Sequence, residues 1–272
     1  MSYFRHSIVL STQATSFNAV ALKGDFERNL AKIAGWGYDG VELAVGNPDL
    51  LDWEQLAGMT RAHDLIVPAI GTGQAWGEEH LSFASIDPAV RKAAVERIKR
   101  QIELARRFEA LVIIGLIRGV TPPGQSHEES MQKLIDCLRE CLDVAAASGV
   151  RMALEPLNRY ETDLIHTVED GLALIQRVGS TSLGLLLDTF HMNIEEPGIE
   201  DSITRAGKHI FHFHVADSNR WHPGAGHLAF SSILEALCFV GYTGWISGEF
   251  MPLPDADKAA SRGIAYLKQL RK

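Results

Sequence analysis

The stretch Leu185–Asn193, "LLLDTFHMN", decides the fold. Three consecutive leucines after Gly184 leave no polar face, so they read as a strand buried on both sides, the mark of a parallel sheet covered by helices. The run stops at a carboxylate, Asp188, with His191 three residues on. A buried strand that ends in a charge needs a reason, and the neighbouring sequence supplies one.

Strand-like apolar runs of the same kind occur at 7–11, 39–45, 65–71, 110–117, 150–157, 183–190, 209–216 and 244–250. Amphipathic stretches follow each of them, with helices expected near 25–36, 53–63, 127–148, 167–178 and 199–207. Another helix opens at Asp87 as N-cap with Pro88 in its first position, and puts Ala94, Ile98, Ile102 and Ala105 on one face. Strand–helix alternation implies parallel strands with crossover helices. Eight units in 272 residues fit a closed (β/α)₈ TIM barrel, a single α/β domain over residues 1–272, better than an open doubly wound sheet.

The formal charge of -8 opposes a nucleic-acid partner, whose binding proteins carry a basic footprint. The longest apolar run, "ALVIIGLI", is too short to span a bilayer, and the start "MSYFRHSIVLSTQATS" lacks the apolar core of a signal peptide. A cytoplasmic protein with no membrane partner is expected. Three cysteines without paired spacing build no disulfide framework, and Cys137 and Cys141 read as small apolar helix residues. "GTGQAWG" (71–77) lacks the third glycine of a dinucleotide fingerprint.

Chemistry in such barrels collects where the strands end. The fifth strand ends at Glu155, the sixth at Asp188, the seventh offers His214 and the eighth Glu249. Alternation puts Ala153, Leu186, His212 and Ser247 one layer beneath these four, so the inward set is self-consistent. Acidic residues are ordinary in loops after strands, and any one of the four has a structural explanation in loop amides or arginines. Four on successive strands are harder to dismiss. Carboxylates crowded into a partly dry rim resist ionisation unless a positive charge sits among them. One divalent metal ion answers the question posed by Asp188. Oxygen-rich ligands with one imidazole suit Mn²⁺ first, with Mg²⁺, Co²⁺ and Zn²⁺ as alternatives.

"EPLNRYETDLIHTVEDG", "LLLDTFHMNIEE", "HFHVADSNRWHPGAGH" and the terminal "GEF" resemble the ketose 3-epimerase branch of the xylose-isomerase-like TIM barrels. "DGVEL", "PAIGTGQAWG" and "ALVIIGLIRG" are similar to its 5-keto-L-gluconate epimerase subgroup. The resemblance covers nearly the whole chain. It implies a metal held by Glu155, Asp188, His214 and Glu249, with Glu155 and Glu249 also moving protons, and homodimers or homotetramers as the assembly. It further implies that His191 and Arg220 contact substrate oxygens and that Glu161 supports them. Taken alone, Arg220 reads equally as a surface ion-pair partner and His191 as a helix cap. His212, His222 and His227 read as structural.

Inverting a carbinol carbon beside a ketone requires one base on each face of the sugar, which two glutamates supply. Arg118, directly after the fourth strand, is outside the neutral-sugar pattern and reads equally as a grip on the carboxylate of a keto-hexonate and as a salt-bridge partner of a neighbouring loop carboxylate. With the first reading, the resemblance implies 5-keto-L-gluconate to D-tagaturonate as the reaction. The alternatives are a neutral ketose 3-epimerase acting on tagatose, psicose or ribulose, and an aldose–ketose isomerase. The long loop 71–86, with Gln74, Trp76 and Phe83, is expected to close over the sugar. An endonuclease-type barrel would want more histidines at the strand ends and a basic groove. A sugar-binding module without catalysis would not need two opposed carboxylates.

Overall fold

The computed structural model describes residues 4–270. Strands β1 (Arg5–Ser11), β2 (Glu42–Ala44), β3 (Ala69–Gly71), β4 (Leu111–Ile114), β5 (Met152–Leu154), β6 (Leu183–Asp188), β7 (Ile210–Val215) and β8 (Trp245–Gly248) pair in chain order. Every pairing is parallel, and β8 closes back on β1 through Arg5↔Trp245 to Ile8↔Gly248. The expected eight-stranded barrel forms. No helix among the described residues is long and apolar enough to cross a membrane.

A closed barrel explains the three leucines. Leu185 and Leu187 join the large apolar layer between strands and helices, whereas Leu186 packs with Ala69, Leu111, Ile113 and Ala153 inside the barrel. Each such buried leucine contributes about 1.5–3 kcal/mol. No position in the run can be polar until the strand reaches the rim.

The helices start where capping chemistry places them. Asp25, Asp52 and Asp87 accept hydrogen bonds from the first turns of Phe26–Trp36, Trp53–Ala62 and Pro88–Phe108. Ser126 and Glu129 form a capping box at the start of His127–Ala147. Removing one such cap costs about 1 kcal/mol. The stripe Ala94, Ile98, Ile102 and Ala105 is buried. Cys137 and Cys141 are buried in His127–Ala147, and burial pushes both thiols up, Cys137 to about 11, which leaves them inert apolar residues.

Three expectations need correction. Several strands are shorter than their apolar runs: β2, β3 and β5 have three residues each, although flanking residues still bond across, Val41 N to Ile66 O and Val45 N to Gly71 O, both at 2.9 Å. The sixth strand does not run to Phe190. It stops at Asp188, whose Oδ1 accepts from Phe190 N at 2.8 Å and caps a short helix, Thr189–Glu195. The segment 71–86 is not a free flap either. It contains the helix Gln74–Glu79, and its second half is fastened to the segment after β4 through Phe83 N to Ile117 O and Ala84 N to Arg118 O. Phe83 is fully buried, so opening this segment would tear out core packing.

One irregularity aims the site. The pairing of β6 with β7 shifts between Leu185↔Ile210 and Leu186↔His212, skipping Phe211. This bulge leaves Phe211 against the inner apolar cluster while bringing His212 and His214 level with Leu186 and Asp188. Gly184 makes room for it, since a Cβ there would lie 2.4 Å from the Phe211 ring.

Candidate active site

Glu155 follows the last residue of β5, Asp188 ends β6, His214 lies one residue before the end of β7, and Glu249 follows β8. All four meet at the C-terminal mouth of the barrel. One ligand atom from each lies within 4.8 Å of the others. Glu155 Oε1, Asp188 Oδ2 and His214 Nδ1 are buried without a hydrogen-bond partner. Asp188 thus has two jobs: one oxygen caps a helix and the other is bare toward the site. A wider depression at the opposite mouth, beside Arg5, Arg151 and Trp245, has no such set of carboxylates.

The electrostatics match. Burial, then the charge of Glu249, holds Glu155 well above the carboxylate range; burial also raises Asp188, and raises Glu249 to about 7. Burial pulls His214 down, but the charge and hydrogen bond of Glu42, with Glu249 and Glu155 behind them, win and raise it to about 10. Two carboxylate oxygens and one imidazole nitrogen left without partners, with the Glu249 carboxylate beside them in a dry site, are what a divalent cation would satisfy. The residues present fit that group.

His191 sits beside them. Asn158 N–H can only donate, and it points at His191 Nδ1 at 3.3 Å, with Asn158 Nδ2 at 2.7 Å. Nδ1 therefore accepts, and the ring proton is on Nε2, 3.8 Å from both Glu155 Oε1 and Asp188 Oδ2. Burial, then the charge of Arg220, holds the imidazole well below its usual range, so it stays neutral. It offers the site a hydrogen-bond donor without a charge.

Arg220 arrives from the loop after β7 with φ of 60°, an unusual conformation for a residue with a side chain. Its backbone is clamped by Arg220 N to Asp217 O and Met251 N to Arg220 O, each 2.8 Å. Its Nη1 donates to Glu161 Oε1 at 2.7 Å, its Nη2 lies 3.8 Å from Glu249 Oε2, and its plane covers the Phe190 ring at 4.7 Å. Glu155, Glu161, His191, His214, Arg220 and Glu249 line one pocket.

Arg118 is elsewhere, which corrects the carboxylate-gripping reading of it. The side chain is fully buried, and its guanidinium donates to the carbonyls of Ile114, Gly115, Glu155, Leu164 and Ile165. No N–H is left for a substrate; the arginine braces the chain carrying Glu155. Gln74 and Trp76 do not line the pocket either: Gln74 Nε2 donates to Ser11 Oγ at 2.7 Å, and Trp76 packs edge-on to His80. The residue that sequence reading missed is Glu42 of β2, buried inside the barrel with Oε2 2.8 Å from His212 Nε2 and 3.0 Å from His214 Nε2. Its signal was a lone carboxylate between the outward-facing Val41 and Leu43.

Residues 30–270 match the model of the xylose isomerase-like TIM barrel family, and the chain belongs to it. Among its relatives is an L-ribulose 3-epimerase of Mesorhizobium japonicum, 31% identical over 93% of this chain and 85% of that one. A 3-dehydro-D-guloside 4-epimerase of Escherichia coli is 35% identical over 53% of this chain and 55% of its own. The crystal structure of a D-allulose 3-epimerase from Methylomonas sp., in complex with D-allulose, superposes with a TM-score of 0.82 at 25% identity, over 99% of this chain and 98% of that one.

Proposed function

We propose that the protein is a divalent-metal-dependent isomerase that inverts the carbinol carbon next to the ketone of a keto sugar. The observation that carries this reading is the convergence of Glu155 and Glu249 on one point from strands β5 and β8, with β6 and β7 between them supplying the other two ligands. Glu155, Asp188, His214 and Glu249 would hold the ion, Mn²⁺ before Mg²⁺, Co²⁺ or Zn²⁺ on the character of the donors. When bound, it supplies Lewis-acid stabilisation of the charge that develops on the substrate oxygens.

The chain does the rest. Each glutamate keeps a second oxygen for proton transfer, so one takes the proton from one face of the carbinol carbon and the other returns a proton to the opposite face. His191 Nε2–H donates to a substrate oxygen without adding charge, and Arg220, aimed by Glu161 and Phe190, faces the developing oxyanion.

A neutral keto sugar fits better than a keto-hexonate. With Arg118 spent on carbonyls, Arg220 is the guanidinium among the described residues that lines the pocket, and Glu161 already pairs with it. A keto-glycoside is the second reading, favoured by an open groove continuing outward past Phe17, Asn18, Phe190 and Met251, with room for a substituent. A cytoplasmic location accompanies this reading.

The test is to strip the protein of metal, restore Mn²⁺, and incubate it with L-ribulose, D-psicose, 5-keto-L-gluconate and a 3-keto-glucoside. Epimer formed fastest from a neutral ketose supports the reading. Turnover of the keto-hexonate alone overturns the substrate class, and no epimer from any of them overturns the activity.

A further inference from the structure

We propose that Glu42 is a positioning residue for the cation site: it holds a proton of His214 on Nε2, facing away from the site, and so leaves Nδ1 as the nitrogen that takes the ion. The inference rests on the metal-dependent reading above. An imidazole ligates through a nitrogen without a proton, and which nitrogen that is depends on the hydrogen bond made by the other. His214 Nε2 lies 3.0 Å from both oxygens of Glu42. Its Nδ1 has no partner in the protein and lies 3.9 Å from Glu155 Oε1 and from Glu249 Oε2. One ring thus spans the barrel interior between a carboxylate that accepts its proton and two that share its ligand face.

His212 makes the assignment sharper. Its Nε2 lies 2.8 Å from the same Glu42 Oε2. A carboxylate accepts two imidazole N–H groups readily, and both rings then carry their protons on Nε2. Glutamine has one accepting oxygen and an NH₂ that only donates. In Glu42→Gln one histidine loses its acceptor and shifts its proton to Nδ1. When that histidine is His214, the proton lands on the ligand atom.

The experiment measures Mn²⁺ binding to metal-stripped wild type, Glu42→Gln and Glu42→Leu by calorimetry, with thermal unfolding of the metal-free proteins alongside. A weakening of about 10- to 100-fold in Kd, at an unfolding midpoint close to wild type, is expected. Equal Kd values in both Glu42→Gln and Glu42→Leu, the second leaving neither histidine an acceptor, overturn the positioning role even when the variants are less stable. Wild type that binds no divalent ion overturns the metal-dependent reading instead, so the two failures are distinct. Should Glu42→Gln not fold, long-range ¹H–¹⁵N spectra of histidine-labelled wild type loaded with Mg²⁺ decide. Protonated Nε2 with unprotonated Nδ1 at His214 is expected, and the reverse overturns the proposal.

Discussion

Replacing Arg118 by Leu separates a brace from a substrate clamp. Of the five carbonyls its guanidinium serves, those of Ile114, Gly115 and Ile165 keep a backbone donor, from Glu155 N, Arg118 N and Leu157 N respectively. The loss falls on Leu164 O and Glu155 O, for which Arg118 is the donor. An orphaned buried polar group costs about 1–3 kcal/mol, so two cost about 2–6 kcal/mol. Part of this is offset because a fully buried charge no longer has to be desolvated, which leaves about 3 kcal/mol as the working figure. For a chain of this size each kcal/mol lowers Tm by about 2–4 °C, so the metal-free variant should melt about 6–12 °C below wild type. The assay is calorimetric or dichroic melting of both proteins, followed by turnover of a neutral ketose and a keto-hexonate on the folded variant. Both turnovers should fall together, since Glu155 has lost its tether. A variant that melts with wild type and loses only keto-hexonate turnover refutes this reasoning and restores the substrate clamp.

Other expectations are equally concrete. Glu249→Gln keeps an oxygen for the ion but no proton carrier, so epimerisation should fall by at least about 100-fold while ligand binding, measured by calorimetry, persists. Glu249 raised to about 7, His214 raised to about 10, and Glu155 and Asp188 raised by burial all hold protons that an arriving cation must expel. Affinity for Mn²⁺ should therefore tighten as pH rises from about 6 to about 8, with proton release visible in buffers of different ionisation heat; pH-independent binding would contradict it. Gly184→Ala should cost about 1–3 kcal/mol in urea unfolding by pressing a methyl group into the Phe211 ring, and Phe211→Leu in the same chain should recover part of the loss.

The barrel was readable because parallel strands buried on both faces appear as unbroken apolar runs, and "LLLD" is such a run reaching the rim. Glu155, Asp188, His214 and Glu249 stood out because each lies at or near the end of one. Glu42 did not, since it lies at the start of β2, before Leu43 and Ala44, with its partners His212 and His214 far away in sequence. Arg118 was placed correctly along the chain but its direction was not readable: after β4 the backbone enters a 3-10 turn, Leu116–Arg118, that folds the side chain back under the rim. The bulge at Phe211 was hidden for a similar reason. In "HIFHFHVA" simple alternation fits either register, and only the contact with Gly184 selects one.

Whether two carboxylates serve opposite faces of the substrate carbon is tested most directly by turnover in D₂O. The Mn²⁺-loaded protein should convert a neutral ketose to its epimer with one deuterium at the inverted carbon and the carbonyl unmoved. An epimer free of solvent deuterium, or a product whose carbonyl has migrated to the neighbouring carbon, would contradict it.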